Sequence, residues 1–153
     1  MALLASAGVL VMLVTVLRPG ELMGSAPRTP DWRALPAEVR VVDGETLRLG
    51  DRVLRLYGVE APARGQACGG VADCGGMAAA ELARLVRDRV VDCRIRGQDR
   101  FGRAFGICHA GGVEVNGSLV AAGWASADAV AMPALAPLEQ TARAAQRGMW
   151  AAR

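Results

Sequence analysis

Three short runs of alternating apolar and polar residues, joined by two-residue turns, constrain the fold of this chain more than any other feature. The runs are EVRVV, ETLRL and RVLRLYGV, and the turns are Asp43-Gly44 and Gly50-Asp51. Alternation with a period of two indicates half-buried strands, and Asp-Gly is a common hairpin dipeptide. The pattern therefore predicts three antiparallel strands from about residue 38, with Arg55 and Tyr57 on one face of the third.

The remaining patterns add two paired strands, one further short strand and three helices. MAAAELARLVRDR has a helical apolar face, and RVVDCRIR and RAFGICHA are typical of paired strands. VEVNGSLVAAG predicts a short strand and a helix, with Asn116 as N-cap and Gly123 as C-cap, and a last helix begins near Pro137. This order predicts an α+β protein with an OB-fold, a five-stranded antiparallel β-barrel with about three helices.

The N-terminal segment differs in composition from the rest of the chain. Residues 2–17 are apolar except for Ser6 and Thr15, and sixteen helical residues span about 24 Å, less than the ~30 Å of a bilayer core. We interpret residues 1–18 as a hydrophobic helix that is either an uncleaved membrane anchor or a signal peptide; a buried N-terminal helix is the alternative. Residues 19–37 hold four prolines and are expected to be a linker to a domain at residues 38–151. Either of the first two interpretations predicts export to the cell envelope, membrane-anchored or secreted.

Four cysteines agree with export. Folding the chain near Arg100 and Phe101 places Cys93 opposite Cys108, so a cross-strand disulfide is feasible, and Cys68–Cys74 would then close a small glycine-containing loop. A metal site that uses His109 is the alternative, but the spacings match no common zinc pattern.

The charge of the chain is mild. The net charge is +3, which does not by itself indicate a nucleic-acid partner, and all 18 basic residues are Arg. Codon bias is the favoured explanation of this usage; phosphate binding is the alternative, since Arg binds phosphate with two parallel hydrogen bonds and Lys does not. With 52% apolar residues, a disordered chain is excluded.

Two charged groupings are candidates for a site. Asp43 and Glu45 flank a turn, where carboxylates can hold Ca²⁺, but this motif alone favours a plain hairpin turn. Asp99, Arg100 and Arg103 surround Phe101-Gly102, and a charged hairpin loop is the simple interpretation there.

Taken together, the strings DGET, RLYGVEAP, DRFGRAFG and VNGSLVAAGWA resemble the thermonuclease (staphylococcal nuclease-like) family over residues 38–151. GQAC and DCGGMAAAEL resemble its exported, cysteine-containing branch. The resemblance implies an OB-fold and Ca²⁺-dependent cleavage of DNA and RNA. It also implies that Arg55 and Arg103 bind phosphate as catalytic residues, that Glu45 and Glu60, with Asp43, bind the metal, and that Phe101 stacks on nucleic acid.

The chain departs from the family pattern at several positions. Glu45 and Glu60 stand where active members carry Asp, and Ala61 replaces a Thr whose backbone carbonyl is a ligand. Ala63 replaces the Glu taken to activate the attacking water. Two expected tyrosines correspond to Ala129 and Ala131. The resemblance therefore implies an intact phosphate clamp with an impaired site.

Three functions follow from these residues. The first is a binding domain for single-stranded DNA or RNA whose hydrolytic activity is weak or lost, and the second is a functional Ca²⁺-dependent endonuclease. The third is a structural or protein-interaction domain tethered to the membrane. In each case we expect a monomer.

Overall fold

A computed structural model of the chain describes residues 31–151. The hydrophobic helix predicted at residues 1–18 lies outside the described residues, as does most of the predicted linker. Within residues 31–151 no helix is long and apolar enough to span a bilayer.

Nine strands and three α-helices make up the described chain, which confirms the α+β class. The strands are β1 (Trp32–Ala34), β2 (Val39–Val41), β3 (Thr46–Leu49), β4 (Arg52–Leu56), β5 (Val59–Glu60), β6 (Val91–Gln98), β7 (Ala104–Ala110), β8 (Val113–Glu114) and β9 (Ser126–Ala127). The helices are α1 (Cys74–Val86), α2 (Val115–Ala121) and α3 (Ala136–Ala144).

Seven strands form one sheet in the order β1-β6-β7-β4-β3-β2, with β8 added beside β7, while β5 and β9 pair separately. The expected five-stranded antiparallel barrel is therefore corrected in two respects. First, β4 and β7 run parallel, with Leu54 opposite Ala104 and Arg55 opposite Phe105. Second, no ladder among residues 31–151 joins β1 to β2, so the sheet is not a closed barrel.

The boundary predicted at residue 38 is also corrected, because residues of the expected linker belong to the sheet. β1 pairs with β6, and Trp32 lies opposite Cys93. A 3₁₀ turn at Pro36–Glu38 then carries the chain from β1 to β2. Proline at the start of such a turn is compatible with its fixed φ, so a proline-rich composition did not mean a linker here.

The core lies between the inner face of the sheet and the helices. Alternation holds along β3 and β4, where Leu47, Leu49, Leu54 and Leu56 are buried. Their neighbours along the same strands face outward. Leu82 of α1 belongs to the same cluster. Burial of these leucines, at roughly 2 kcal/mol each, is the main stabilising term that fixes which face of the sheet meets solvent.

Two disulfides join the four cysteines as predicted from the sequence. Cys93 and Cys108 are opposite each other on β6 and β7, with their Cα atoms 4.1 Å apart. The backbone N–H of Cys108 donates to the Asn116 side chain and not to β6, as expected for a non-hydrogen-bonded pair. Cys68 and Cys74 close the loop that precedes α1.

Helix α1 begins three residues before the predicted run of MAAAELARLVRDR. Asp73 is its N-cap and accepts from the Gly76 N–H at 2.7 Å. The same carboxylate oxygen accepts from the Gly65 N–H at 2.7 Å. These hydrogen bonds hold the pKa of Asp73 below its usual range. Asp73 thus connects the helix start to the preceding loop.

Asn116 is not the N-cap that the sequence predicted. Glu114 caps α2 by accepting from the Gly117 N–H at 2.9 Å. The side chain of Asn116 is fully buried instead. Its amide donates to the carbonyls of Tyr57 and Gly106, at 2.9 and 3.1 Å. Together with its bond to β7, the side chain ties α2 to the ends of two parallel strands.

Candidate functional site

The outward face of β4 presents Arg55 beside the carboxylate of Glu45, the residue immediately before β3. The NH2 atom of Arg55 lies 2.5 Å from Oε1 of Glu45. The Arg55 side chain is 37% exposed and that of Glu45 only 15% exposed. The second oxygen of Glu45 accepts from the Ala61 N–H at 2.8 Å. Both oxygens of this carboxylate therefore already have partners within the protein.

Burial changes the ionisation of Glu45. Desolvation raises the pKa of this carboxyl above its ordinary value, and the nearby charge of Asp43 acts in the same direction. The hydrogen bond from Ala61 and the positive charge of Arg55 oppose the rise without cancelling it. Glu45 is therefore more easily protonated in the folded protein than in water, and protonation would release its hold on Arg55.

Arg103 was expected at the start of the strand run RAFGICHA and lies immediately before β7. Leu54 is opposite Ala104, so the residues that precede them, Val53 and Arg103, are expected to lie side by side. Val53 is two residues from Arg55 on β4 and faces the same way. Outward positions alternate with buried ones on both strands, so the two arginines share one face of the sheet. Arg103 is exposed and makes an ion pair with Asp99 at 2.6 Å.

Asp99 organises the loop that carries Arg103. One of its carboxylate oxygens accepts from the backbone N–H groups of Phe101 and Arg103, and the other from Nε of Arg103. Desolvation acts in the opposite direction, but these hydrogen bonds keep the pKa of Asp99 below its ordinary value. Asp99 stays charged and holds the loop in shape across the neutral pH range.

Phe101 stands at the tip of this loop. Its side chain is 68% exposed, as a stacking platform requires. The guanidinium carbons of Arg100 and Arg103 lie 4.7 and 5.5 Å from the ring centroid. The ring and the two guanidinium groups therefore lie together on one exposed surface.

The predicted metal ligands do not come together as a set. Among residues 31–151, no group of three or more His, Cys, Asp or Glu side chains is placed to hold a metal ion. Glu45 is occupied by Arg55 and Ala61. Glu60 is exposed on β5, and Asp43 accepts from the Glu45 N–H at 3.0 Å. The residues present therefore do not fit Ca²⁺, which needs several free oxygen ligands.

Two clefts flank the Arg55–Glu45 pair. One, the Tyr57 cleft, has a volume of about 310 Å³, and the other, the Ala63 cleft, about 400 Å³. The Tyr57 cleft is lined by Arg55, Leu56, Tyr57, Gly58, Val59, Glu60, Phe105, Asp128 and Ala131. The Ala63 cleft is lined by Val42, Asp43, Glu45, Ala61, Pro62, Ala63 and Arg64. Glu60 and Glu45 thus line different clefts.

Small residues shape the Ala63 cleft. A Cβ atom on Gly44 would lie 2.6 Å from Cβ of Ala78 on α1 and 2.8 Å from Cβ of Ala61. A Cβ atom on Gly75 would overlap the Ala63 carbonyl. The first turns of α1 therefore press directly on both loops that form the cleft, and glycine is required at these two approaches.

Sequence reasoning missed two residues of these clefts. Arg64 donates from Nε and NH2 to the Val42 carbonyl, at 3.3 and 3.1 Å, and so bridges the mouth of the Ala63 cleft. Asp128 lines the Tyr57 cleft and accepts from the N–H groups of Val130 and Ala131. An Asp followed by small residues is a turn signal that could have located Asp128, whereas nothing in the sequence indicates where Arg64 reaches.

Comparison with known proteins identifies the family of the chain. The family described as "Staphylococcal nuclease homologue" matches residues 53–152, about two thirds of the chain. The chain belongs to the staphylococcal nuclease family. The resemblance seen in the sequence is thereby confirmed, and with it a nuclease-type domain on the OB-fold that characterises the family.

Two kinds of relative in this family are similar to the chain. The succinoglycan biosynthesis protein ExoI of Rhizobium meliloti (strain 1021) is 34% identical over 122 residues. The match covers 75% of this chain but only 64% of ExoI, so the chain spans less than two thirds of the length of that relative. Proteins called "uncharacterized endonuclease" in Escherichia coli O157:H7 and Escherichia coli are 32% identical over 131 residues, covering 78% of this chain and 82% of each relative.

Proposed function

We propose that this staphylococcal nuclease domain binds the phosphodiester backbone of nucleic acid through Arg55 and Arg103, and that its hydrolytic activity is weak or lost. The observation that carries the proposal is the register of β4 and β7. Arg55 is opposite Phe105, two residues after Arg103, which supports a position for both arginines on one solvent-facing surface. Guanidinium groups bind phosphate oxygens with paired, charge-assisted hydrogen bonds.

The residues of the Ala63 cleft support the proposed loss of hydrolytic activity. Residue 63, where the family resemblance implies a water-activating Glu, is an exposed Ala. Glu45, a half-buried carboxylate that lines the same cleft, is bound by Arg55 and the Ala61 N–H and is not free to act as the base. Removing a general base typically lowers a rate by about 10²- to 10⁴-fold.

Calcium-dependent cleavage is the second candidate function. The names of the Escherichia coli relatives favour it, since both are called endonucleases. If it holds, Glu45 must exchange Arg55 for the ion when Ca²⁺ and substrate are both present. The Arg55–Glu45 contact is the reason we place this function second.

We also propose that the domain works outside the cytoplasm. Its two disulfides support this, because such bonds persist in oxidising compartments and are rare in the cytosol. The apolar residues 2–17 support the same location, as an anchor or a signal. Fractionation of cells that express the tagged chain, followed by thiol labelling, tests this proposal; cytosolic protein with four free thiols would contradict it.

Binding and cleavage of single-stranded DNA test the proposed function together. The full-length, disulfide-bonded chain is incubated in detergent with labelled DNA, with and without Ca²⁺. An Arg55→Ala/Arg103→Ala variant is compared with an Arg84→Ala/Arg147→Ala control of equal charge, whose exposed arginines belong to α1 and to the segment after α3. We expect salt-sensitive binding by the wild type and the control, at least tenfold weaker in the first variant, and no efficient cleavage.

The other outcomes identify the alternatives. Cleavage that requires Ca²⁺ and is lost in Arg55→Ala/Arg103→Ala would establish the endonuclease. Absence of both binding and cleavage would contradict both nucleic-acid functions and favour the structural or protein-interaction domain.

A further inference from the structure

We propose that the nucleic-acid site does not end at Arg55 and Arg103 but continues across the outer face of the sheet as a row of arginines on β2 and β3. The row consists of Arg40, Arg48 and Arg103, and we call it the arginine row. This inference rests on the proposed function and adds to it a site size of several nucleotides of single strand.

The strand registers place the row in line. Arg40 of β2 is opposite Arg48 of β3. Arg48 is in turn opposite Val53 of β4. Val53 lies beside Arg103, as the pairing of Leu54 with Ala104 requires. Directly opposed residues in a sheet project from the same side, so all these side chains share one face.

The row is accessible to solvent. Arg40, Arg48 and Arg103 are all exposed, whereas their strand neighbours Leu47 and Leu49 are buried. With strands about 4.8 Å apart, the row runs about 14 Å from Arg40 to Arg103, perpendicular to the strands. Arg55 lies in the adjacent row, between Thr46 and Phe105. The face therefore carries two rows side by side, and neither contains an acidic residue.

The two added arginines keep donors for a ligand. Within the described part of the chain, Arg48 makes no ion pair or hydrogen bond through its side chain. Arg40 uses only NH1 within the protein, to donate to the carbonyls of Ala37 and Val39 at 2.9 Å each. These bonds hold the Arg40 stem near the sheet and leave its remaining N–H groups available. Carbonyl oxygens do not neutralise the charge of a guanidinium group. Arg40 and Arg48 therefore both present an uncompensated positive charge to solvent.

The chemistry of the face fits single-stranded nucleic acid. A line of exposed guanidinium groups is complementary to a polyanion, and two of the three, those of Arg40 and Arg48, have no acidic partner within the described residues. The exposed ring of Phe101, two residues from Arg103, offers a stacking surface that a duplex could not use. OB-fold domains contact roughly 4 to 16 nucleotides of single strand. The row thus extends a one-phosphate site toward the lower end of that range.

The test compares short and long ligands. An Arg40→Gln/Arg48→Gln variant keeps the side-chain stems and removes two charges, and Arg84→Gln/Arg147→Gln is its matched control. Affinity of the full-length chain is measured by fluorescence anisotropy for an oligothymidylate of about eight nucleotides and for a thymidine dinucleotide, over a range of salt concentrations. A duplex and an acidic peptide serve as competitors.

We expect the Arg40→Gln/Arg48→Gln variant to lose about tenfold in affinity for the longer oligonucleotide and to bind the dinucleotide like the wild type. Its slope of log affinity against log salt should fall by about 1.4, or ~0.7 for each lost contact with a single strand. Equal affinities of variant and control for the longer oligonucleotide would overturn the inference while leaving the proposed function intact. Binding of neither ligand by the wild type would contradict both. Stronger displacement by the duplex or by the acidic peptide would also overturn the assignment to single strands.

Discussion

At the scale of single residues, the main finding is that Arg55 is held by Glu45. The sequence indicated that both residues are near a site, but it assigned Glu45 to a metal. A pattern of residue types cannot show that a carboxylate with one more methylene than Asp reaches an arginine on the next strand. The structure places their atoms 2.5 Å apart, so the phosphate binding that we propose for Arg55 requires phosphate to compete with Glu45 for this guanidinium.

Replacing Glu45 by Gln tests this competition. Gln keeps an oxygen for the Ala61 N–H and removes the charge that faces Arg55. We expect affinity for single-stranded DNA to rise roughly fivefold, which corresponds to about 1 kcal/mol for a partly exposed ion pair. Binding titrations at neutral pH measure the effect. Glu81→Gln, which removes the partner of Arg84 on α1, is the control and should leave affinity unchanged.

The raised pKa of Glu45 adds a pH dependence with a defined sign. The folded state binds the Glu45 proton more tightly than the unfolded chain. The contribution of this residue to stability is therefore greatest at low pH and falls as pH rises from the ordinary glutamate pKa through the raised one. In the same window DNA affinity should decrease with rising pH in the wild type but not in Glu45→Gln. Parallel pH profiles for the two proteins would contradict the competition.

At the scale of secondary-structure elements, alternation and distance along the chain predicted most of what the structure contains. β2, β3 and β4 follow the alternating runs, and the fold-back near Arg100 correctly paired Cys93 with Cys108. The parallel contact of β4 with β7 was not predictable, since it joins segments about fifty residues apart with no turn between them to indicate their register. β1 was not predicted, because the proline-rich composition of residues 19–37 favoured a linker over a strand of only three residues.

Asn116 shows why the prediction for α2 failed in detail. An Asn at a helix start is normally a cap, but this side chain is buried and serves the backbone of other elements. Replacement by Ala should leave the Cys108 N–H and the Tyr57 carbonyl without this partner inside the protein. We expect a loss of about 3 kcal/mol in the free energy of unfolding, measured by urea denaturation with disulfides intact.

A helix variant gives the comparison for Asn116→Ala. Ser118 of α2 donates to the carbonyl of Glu114, the N-cap of the same helix, and this hydrogen bond is only partly buried. Ser118→Ala should therefore lower the free energy of unfolding by less than about 1 kcal/mol. If the two variants lose equal stability, Asn116 does not hold α2 to the sheet as described.

At the scale of the whole molecule, the sheet brings together residues that are distant in the sequence. β4 supplies Arg55, the β6–β7 loop supplies Arg103 and Phe101, and β2 and β3 supply the rest of the arginine row. The family resemblance pointed to Arg55, Arg103 and Phe101. The sequence gave no indication of the arginine row, because the row forms only through the register of neighbouring strands. Of the carboxylates predicted to hold calcium, Asp43 and Glu45 line the Ala63 cleft, whereas Glu60 lines the Tyr57 cleft.

A crystal structure of the chain with a phosphorothioate oligothymidylate tests the central claim most directly, since the ligand resists hydrolysis and reports where phosphate binds. We predict a phosphate contacted by both Arg55 and Arg103, with Glu45 displaced from Arg55. The oligonucleotide backbone should continue from there toward Arg48. Phosphates bound elsewhere on the protein, with the Arg55–Glu45 pair unchanged, would contradict this claim.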